Sequence, residues 1–344
     1  MMNILIIYQF CSFGGVERAI LNRAKAFQRY DMDVKISVGY LYDIGALHSF
    51  QSYIDAHSLS GNISAFLLSQ DISSQLEKYD LVFNIDTPQI FSTISKPKNM
   101  FIECHTPYKE SRQYLKSLPN GVQGIIVPSS SFKNLLETEF QNLPPIFVLP
   151  NPVSQEFFEV KQQEKTIYAM RPLAYLARLD ELKNYTEALD IFEKFKNNKD
   201  VMYALTGKSA DDVKLLDLLR SKNIIKKTLL HTQIGFDSVP SFVGMIKSHH
   251  GVFISPSRGE SFGLSAAEFM SAKVPVVLSD IDAHRELANQ DSQFLYRLGD
   301  LKEAARKIEW ILGNWDYSSK KMEEYSEKFK GDTFINSWKK LVEL

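Results

Sequence analysis

Val252-Phe253-Ile254-Ser255-Pro256-Ser257-Arg258-Gly259-Glu260-Ser261-Phe262-Gly263-Leu264-Ser265-Ala266-Ala267-Glu268 runs from a short apolar stretch, through a loop with Pro and Gly, into small and apolar residues. Four apolar residues bounded by turn formers read as a buried strand, and the Leu264–Met270 stretch reads as a helix. A second apolar run, Val274–Leu278, follows as another strand. Strand, helix, strand in succession makes the two strands parallel, with the helix covering one face of their sheet. Ligands of open parallel sheets bind in the loops beyond the carboxyl ends of the strands, so this loop is where chemistry is expected. Glu260 precedes the helix, and Glu268 falls about two turns along it among Ala266, Ala267, Phe269 and Met270. A carboxylate in such company is either paired or bound to a polar ligand. The amides of Ser261, Phe262, Gly263 and Leu264 lie at the helix start, where anions are attracted. The loop therefore suits a molecule with phosphates in its middle and hydroxyls at both ends. Equally, Glu260 suits a helix cap and Glu268 a buried ion pair.

The same alternation extends outward in both directions. Ile4–Tyr8 reads as a strand and Val16–Arg29 as a helix whose stripe is Val16, Ala19, Ile20, Ala24 and Phe27. Val34–Val38, Leu81–Ile85, Met100–Cys104, Ile125–Val127 and Ile146–Leu149 read as strands. After Pro150-Asn151-Pro152 the pattern restarts with strands at Ala174–Ala177, Val201–Thr206 and Thr228–His231, and helices at Tyr185–Phe195 and Asp211–Arg220. This implies α/β architecture with parallel sheets covered on both faces. Leu149–Thr166, with two prolines and a polar run, is the linker candidate. The length of 344 residues suits two domains.

Composition narrows the classes. With 40 basic against 41 acidic residues the net charge is −1, which excludes the basic excess of a dedicated nucleic-acid binder. Two cysteines, Cys11 and Cys104, do not make a disulfide framework and fit a reducing compartment. The opening Met1-Met2-Asn3 lacks the basic region of a signal peptide, and no stretch approaches the roughly 18 apolar residues of a membrane span. A cytoplasmic protein is expected, with peripheral contact at the inner face of the membrane left open.

Three further loops carry candidate chemistry. In Cys11-Ser12-Phe13-Gly14-Gly15-Val16-Glu17, adjacent glycines at a helix start allow close backbone approach to an anion, or make a plain tight turn. The spacing is not G-x-G-x-x-G, so a nicotinamide-type fingerprint is absent. In Ala177-Arg178-Leu179-Asp180-Glu181-Leu182-Lys183-Asn184, two cations stand at a helix N-terminus, where the macrodipole disfavours them. A bound diphosphate between them resolves that conflict; so does a solvated loop with Arg178 paired to Asp180 or Glu181. In Glu103-Cys104-His105-Thr106-Pro107, a lone histidine follows a strand, which is the commoner structural arrangement. Neither Cys104-His105 nor the His249-His250 pair shows metal-ligand spacing, so no metal is expected.

Taken together these segments resemble the retaining glycosyltransferases of family four, the glycosyl transferases group 1, which have the GT-B fold. The resemblance spans most of the chain. It runs from Gly14-Gly15-Val16-Glu17-Arg18, through Ile126-Val127-Pro128-Ser129 and Leu149-Pro150-Asn151, to Arg178 with Lys183-Asn184. It continues through Glu260 and Glu268, seven residues apart as in the family signature, to Val274-Pro275-Val276-Val277, Ser279-Asp280-Ile281 and Arg285-Glu286-Leu287.

The resemblance implies two Rossmann-like domains with parallel sheets facing across a cleft: an acceptor-side domain at 1–155 and a nucleotide-sugar domain at 165–315. A C-terminal tail at about 320–344, with Phe334, Trp338 and Leu341, would cross back onto the first domain. It implies that Arg178 and Lys183 hold the donor diphosphate, and that Glu260 meets sugar hydroxyls with amides near Phe262–Leu264. Glu268 would meet the ribose, and Gly14 and Gly15 would approach the phosphates. His105 would stand near the donor sugar, in a positioning role. Gly207, Lys208 and Thr232–Phe236 would line the base pocket. The donor expected is a nucleotide diphosphate sugar, UDP before GDP, without metal or other cofactor. The acceptor expected is a glycan or lipid-linked glycan of a bacterial surface polymer. It would meet Asn84–Thr87, notably Asp86, and the Tyr108–Tyr114 segment, notably Tyr108 and Arg112. Lys109, Arg112 and Lys116 read either as a solvated face or as a basic face for anionic lipid. The chain departs from the family pattern at Lys208-Ser209, at Lys273 and at Pro152. The first two put base preference in doubt, and none removes a charged residue assigned to catalysis. The rival readings are a nucleotide-sugar epimerase on the same fold and a catalytically silent binding subunit; the Arg178, Lys183, Glu260 and Glu268 set argues against silence.

Overall fold

The computed structural model describes residues 1–12, 14–69, 72–94, 97, 99–161, 170–208, 211–231 and 234–343. The polar half of the expected linker (162–166), Ser209 and Thr232 lie outside the described residues, as does Phe13 of the glycine loop. The chain divides into two compact units, Met1–Pro152 with Lys330–Leu344, and Val153–Phe329.

The first unit alternates strand and helix as its apolar runs dictate: β1 (Met2–Cys11), α1 (Gly15–Arg29), β2 (Val34–Asp43), α2 (Leu47–Ala56), β3 (Ile63–Leu67), α3 (Ile72–Leu76), β4 (Leu81–Ile85), β5 (Met100–Glu103), β6 (Gly124–Val127), α4 (Ser130–Glu139) and β7 (Ile146–Val148). Among the described residues the strands form one parallel sheet, ordered β3-β2-β1-β4-β5-β6-β7. The order reverses between β1 and β4, where Ile4 faces Leu81 and Tyr8 faces Ile85. That reversal opens a crevice at the carboxyl edge, the usual ligand position in doubly wound sheets.

The second unit repeats the plan with α5 (Gln155–Phe158), β8 (Arg171–Leu176), α6 (Tyr185–Lys194), β9 (Val201–Thr206), α7 (Asp212–Ser221), β10 (Thr228–His231), α8 (Val239–Ser248), β11 (Val252–Ser255), α9 (Leu264–Ser271), β12 (Val276–Ser279), α10 (Asp282–Leu287), β13 (Leu295–Tyr296), α11 (Leu301–Gly313) and α12 (Trp315–Ser326). Its parallel sheet is ordered β10-β9-β8-β11-β12-β13. Here the reversal lies between β8 and β11, which pair at Leu173 with Val252. Two glycines shape this edge. A methyl group on Gly207, just past β9, would stand 1.8 Å from the Ala177 carbonyl oxygen, so only glycine lets the two loops cross. Gly263 takes φ +92°, the left-handed region, to turn the chain into α9.

The last helix, α13 (Gly331–Val342), belongs to the first unit. Phe334, Ile335, Trp338 and Leu341 form its buried stripe. Phe334 and Trp338 lie 5.2 and 5.1 Å from the Phe27 ring of α1, centroid to centroid. Residues 320–329, expected with the returning tail, instead stay in the second unit with α12 and the turn after it. The second unit also starts earlier than expected, at Val153. The two ends of the second unit are joined where the Val153 amide donates to the Phe329 carbonyl at 2.9 Å. The segment 47–67, not read as elements from sequence, forms α2 and the edge strand β3.

Beneath the β11–α9 loop lies His284 of α10, with no side-chain exposure. Its Nδ1 is 2.9 Å from the Ser279 carbonyl oxygen and 3.0 Å from the Ser279 hydroxyl. Its Nε2 has no hydrogen-bond partner among the described residues. Its ring edge comes 3.7 Å from where a Gly263 side chain would start. Burial pushes the imidazole down to about 4, so it is neutral at neutral pH.

Two outcomes test this packing. Trp338→Ala should speed amide exchange in α1 and α13 by about two orders of magnitude, the scale of a ~3 kcal/mol large-to-small core change; unchanged exchange would mean that the tail does not stabilise α1. His284 has its folded value below the unfolded one of about 6.5, so the unfolded chain binds the extra proton. Stability should therefore be full above that value and fall as pH drops toward about 4, by up to ~1.4 kcal/mol per unit from this group. His284→Leu should flatten that part of the stability–pH curve, and an unaltered slope would contradict the neutral assignment.

Candidate active site

The second unit gathers its candidate residues at the strand-order reversal. The β8–α6 loop carries Arg178 and Lys183, and the β11–α9 loop carries Glu260. Lys183 donates to both Glu260 oxygens, at 2.6 and 2.7 Å. The pair is mostly withdrawn from water, with side chains 18% and 11% exposed. Three more bonds fasten one loop to the other or hold the carboxylate. The Arg258 amide donates to the Leu182 carbonyl at 2.8 Å. The Asn184 amide group donates to the Pro256 carbonyl at 3.1 Å. The Ser257 hydroxyl donates to Glu260 at 2.8 Å. Burial alone raises a carboxyl group, but the Lys183 ammonium and the bonds from Lys183 and Ser257 outweigh it and hold Glu260 below its ordinary range. Glu260 is thus an anion, and it is a partner of Lys183 rather than a helix cap.

Local sequence explains the loop shape. Asp180 accepts from the Lys183 amide at 2.8 Å, closing a turn. Asn184 then adopts the left-handed region, φ +52°, as the residue before α6. The Tyr175 hydroxyl donates to the Arg178 carbonyl at 2.9 Å from below. Arg178 itself, 61% exposed, is paired with Asp180 at 3.1 Å. Phe262 is buried and packs edge-on against Phe329, centroids 5.8 Å apart, anchoring the loop. Leu264 is partly buried against the same core, while Ser261 is half-buried beside it. Glu268 sits in the second turn of α9, wholly buried.

In the first unit the glycine loop is arranged differently from the expectation. The Glu17 carboxylate, wholly buried, accepts from the Gly14 amide at 2.7 Å and the Ser12 amide at 3.1 Å. The amides of Ser12 and Gly14 are therefore already taken by a carboxyl group of the chain itself. Among the described residues a methyl group on Gly15 would meet nothing within 4 Å.

At the carboxyl ends of β4 and β5, the His105 amide donates to Asp86 at 2.9 Å, and its ring Nε2 lies 2.6 Å from Glu103. The other Asp86 oxygen accepts from the Tyr114 hydroxyl at 2.8 Å. Glu103 is wholly buried and doubly bonded to Arg23 of α1. Arg112 is corrected from the basic face. It is buried, donating to both oxygens of Glu139 at 2.8 Å and to the Thr106 carbonyl at 3.2 Å, because a guanidinium inside the fold needs a counter-charge. Tyr108, Lys109 and Lys116 are exposed. Burial pushes the Cys104 thiol well above its ordinary range, which makes it inert. Sequence reading missed Arg23, Glu103, Glu17, Ser257 and His284. For Arg23 and Glu103 a signal existed: each is a charge inside an apolar pattern.

No group of residues able to hold a metal ion, and no helix long and apolar enough to cross a membrane, occurs among the described residues. A family model, glycosyl transferases group 1, matches residues 157–329. A curated relative, the poly(ribitol-phosphate) alpha-N-acetylglucosaminyltransferase of Staphylococcus aureus, is 22% identical over 268 residues, 73% of this chain and 52% of its own length. The chain thus spans about half the length of that relative. Among solved structures, a mutant of S. aureus TarM in complex with fondaparinux, alpha-GlcNAc-glycerol and UDP superposes with a TM-score of 0.79 at 14% identity, covering 99% of both chains. Anabaena HepE in complex with UDP and glucose gives 0.75 at 16% identity over all of both chains. The pneumococcal O-GlcNAc transferase GtfA, with UDP and GlcNAc, gives 0.71 at 11% identity over 99% and 98%. The fold is accordingly GT-B, built from two Rossmann-like domains. With the family model matching half of its length, the chain belongs to the glycosyl transferases group 1.

Proposed function

We propose that this chain is a retaining glycosyltransferase that moves a sugar from a nucleotide diphosphate sugar to a glycan or lipid-linked glycan of a bacterial surface polymer. The observation that carries the reading is the Lys183–Glu260 pair at the strand-order reversal of the second unit. A cation and a carboxylate fixed side by side can serve the two halves of such a donor. Lys183 takes the diphosphate, and Glu260 accepts hydroxyl protons of the sugar. Arg178 joins by leaving Asp180, since an exposed ion pair contributes only ~0–1 kcal/mol. Leaving-group charge is then offset by two cations and the start of α9, with no metal required. Gly207, Lys208 and the stretch Ile234–Phe236 would line the base, and Glu268 would meet the ribose. Gly15, where a side chain would meet nothing within 4 Å, leaves open space at the start of α1, whereas the Gly14 amide is held by Glu17. UDP is favoured because the TarM, HepE and GtfA structures hold it. The polyol-phosphate acceptor and alpha linkage in the S. aureus relative's name support a surface-polymer acceptor and an alpha product. The acceptor would approach Asp86 and Tyr108, and peripheral contact with anionic lipid would fall to Lys109 and Lys116.

Lys183→Ala and Glu260→Ala should each lower turnover by at least about 100-fold, the scale of one lost transition-state contact, with the circular dichroism spectrum preserved. Near-normal activity in both variants would sink the assignment. At millimolar ligand without metal, UDP should raise the melting temperature more than GDP, ADP or CMP, since occupancy at 100 times the dissociation constant adds ~2.7 kcal/mol. No rise with any nucleotide would favour the silent binding subunit.

A further inference from the structure

Four of the nine large apolar side chains that stay exposed among the described residues stand at the carboxyl edge of β1, β2 and β3: Phe10, Tyr42, Ile44 and Leu67. Period two puts Tyr8 and Phe10 on one face of β1, and the register sets them opposite Tyr40 and Tyr42 of β2. In the lower of these two rungs Tyr40 is wholly buried, edge-on to Phe50 of α2 with centroids 6.2 Å apart. In the upper rung the Phe10 and Tyr42 rings lie 5.5 Å apart, tilted by 32°, and are 40% and 53% exposed. Apolar side chains grouped in the open mark a binding surface.

Asp43 stands between Tyr42 and Ile44 in the chain. It accepts from the amides of Gly45, Ala46 and Leu47 at 2.9, 2.9 and 3.0 Å, all on Oδ1. Those amides, that of Leu47 above all, hold its carboxyl below the ordinary range, so it is an anion at neutral pH. Its second oxygen takes none of the three bonds. Strands β1 and β3 carry no charged side chain, and β2 carries only Lys35 and Asp43. Lys35 belongs to the amino end of β2, about 26 Å along the strand from Asp43, which is beyond the reach of its field in salt. From Ile36 to Glu77 the sequence has no lysine or arginine. An anionic lipid surface or a phosphate-linked polymer would bring negative charge to this aspartate with no cation on its strands to offset it. An uncharged sugar meets no such conflict. Its C–H face is apolar and slightly positive and rests on the negative face of an aromatic ring, and its hydroxyls donate to a carboxylate.

We propose that Phe10, Tyr42 and Asp43 form a saccharide-binding site for an uncharged stretch of glycan, with Ile44 and Leu67 as its apolar rim. That this glycan belongs to the acceptor rests on the transferase reading above; the binding itself does not.

Saturation-transfer difference NMR with maltotriose, mannotriose, galactotriose and chitotriose tests the site without catalysis. At least one probe should bind, with its ring C–H protons receiving most of the transfer. In the double variant Phe10→Ser with Tyr42→Ser, binding should weaken at least about tenfold, as for two lost ring contacts, while UDP affinity is unchanged. Asp43→Asn keeps a cap for α2 and should weaken the same probe about tenfold, the scale of one hydrogen bond to a charged group. Binding of none of the four probes, or binding that survives the double variant, overturns the proposal and leaves the transferase reading untouched. The proposal is also overturned if the wild-type chain uses these rings to bind phosphatidylglycerol vesicles or poly(glycerol phosphate), or to hold a dimer that the double variant splits in sedimentation. A wild-type chain that binds a probe at these residues but neither binds UDP nor transfers sugar would instead overturn the transferase reading and leave the saccharide site in place.

Discussion

Charges withdrawn from water must be matched by counter-charges, and in this protein that requirement is met at the carboxyl edge of both sheets. In the second unit Lys183 and Glu260 close the reversal between β8 and β11. In the first, Arg23 and Glu103 tie α1 to the end of β5. Removing one member of such a pair strands the other, at a cost of ~3–5 kcal/mol. The loops that carry these residues are consequently fixed in place before any ligand arrives. The two pairs differ in what they leave open. Arg23 and Glu103 are almost wholly enclosed and are committed to each other and to His105. Lys183 and Glu260 keep part of their surface in water, so each has capacity for a further partner.

Three turns of positive φ stand at these same edges, while others, such as Asp31, His250 and Lys273, lie between a helix end and the next strand. Asp86 follows β4, Asn184 precedes α6 and Gly263 precedes α9, and all three have positive φ. Each turn stands at the carboxyl edge of its sheet and aims a neighbour: Asp86 holds the His105 amide, Asn184 sets the direction of Lys183, and Gly263 turns the chain that follows Glu260. Asparagine and aspartate tolerate this region because their short polar side chains bond locally, and glycine because it has no side chain to clash. Buried neutral His284 under Gly263 serves the same end. It fills the space beneath the turn without placing a second cation beside Lys183.

How much of this is legible in sequence depends on whether a residue's role is local. The strands β4, β9 and β11 are mainly apolar runs, and they and the shorter Thr228–His231 strand β10 are located from sequence to the residue. The edge strand β3, Ile63-Ser64-Ala65-Phe66-Leu67, and the Ser- and aromatic-rich α2 lack that signal, because an edge strand needs only one buried face. Among site residues, the placement of Lys183 and Glu260 in loops at the carboxyl ends of strands was legible through the recurring strand–loop–helix pattern, but their pairing was not. That Arg178 turns to Asp180, that Arg112 turns inward to Glu139, and that Glu17 occupies the glycine-loop amides are choices between partners, and spacing alone leaves them open. Arg23 and Glu103 carried a sign that periodicity could have raised. Arg23 falls on the stripe shared by Ala19, Ile20 and Phe27, and Glu103 ends the apolar run from Met100. A charge in a buried pattern announces that a partner exists without naming it.

The unequal setting of the two candidate donor cations bears on how such a site can be both specific and fast. Lys183 is preorganised. Its Nζ is pinned by two short bonds, so little side-chain entropy remains to be lost on binding, and its field points at one place. Arg178 is the reverse, with a largely exposed side chain paired to the partly exposed Asp180. Exchanging that surface pair for a phosphate changes the free energy little, whereas drawing Lys183 wholly away from Glu260 would strand a carboxylate. On the proposed transferase reading, a diphosphate would share Lys183 with Glu260 and draw Arg178 away from Asp180.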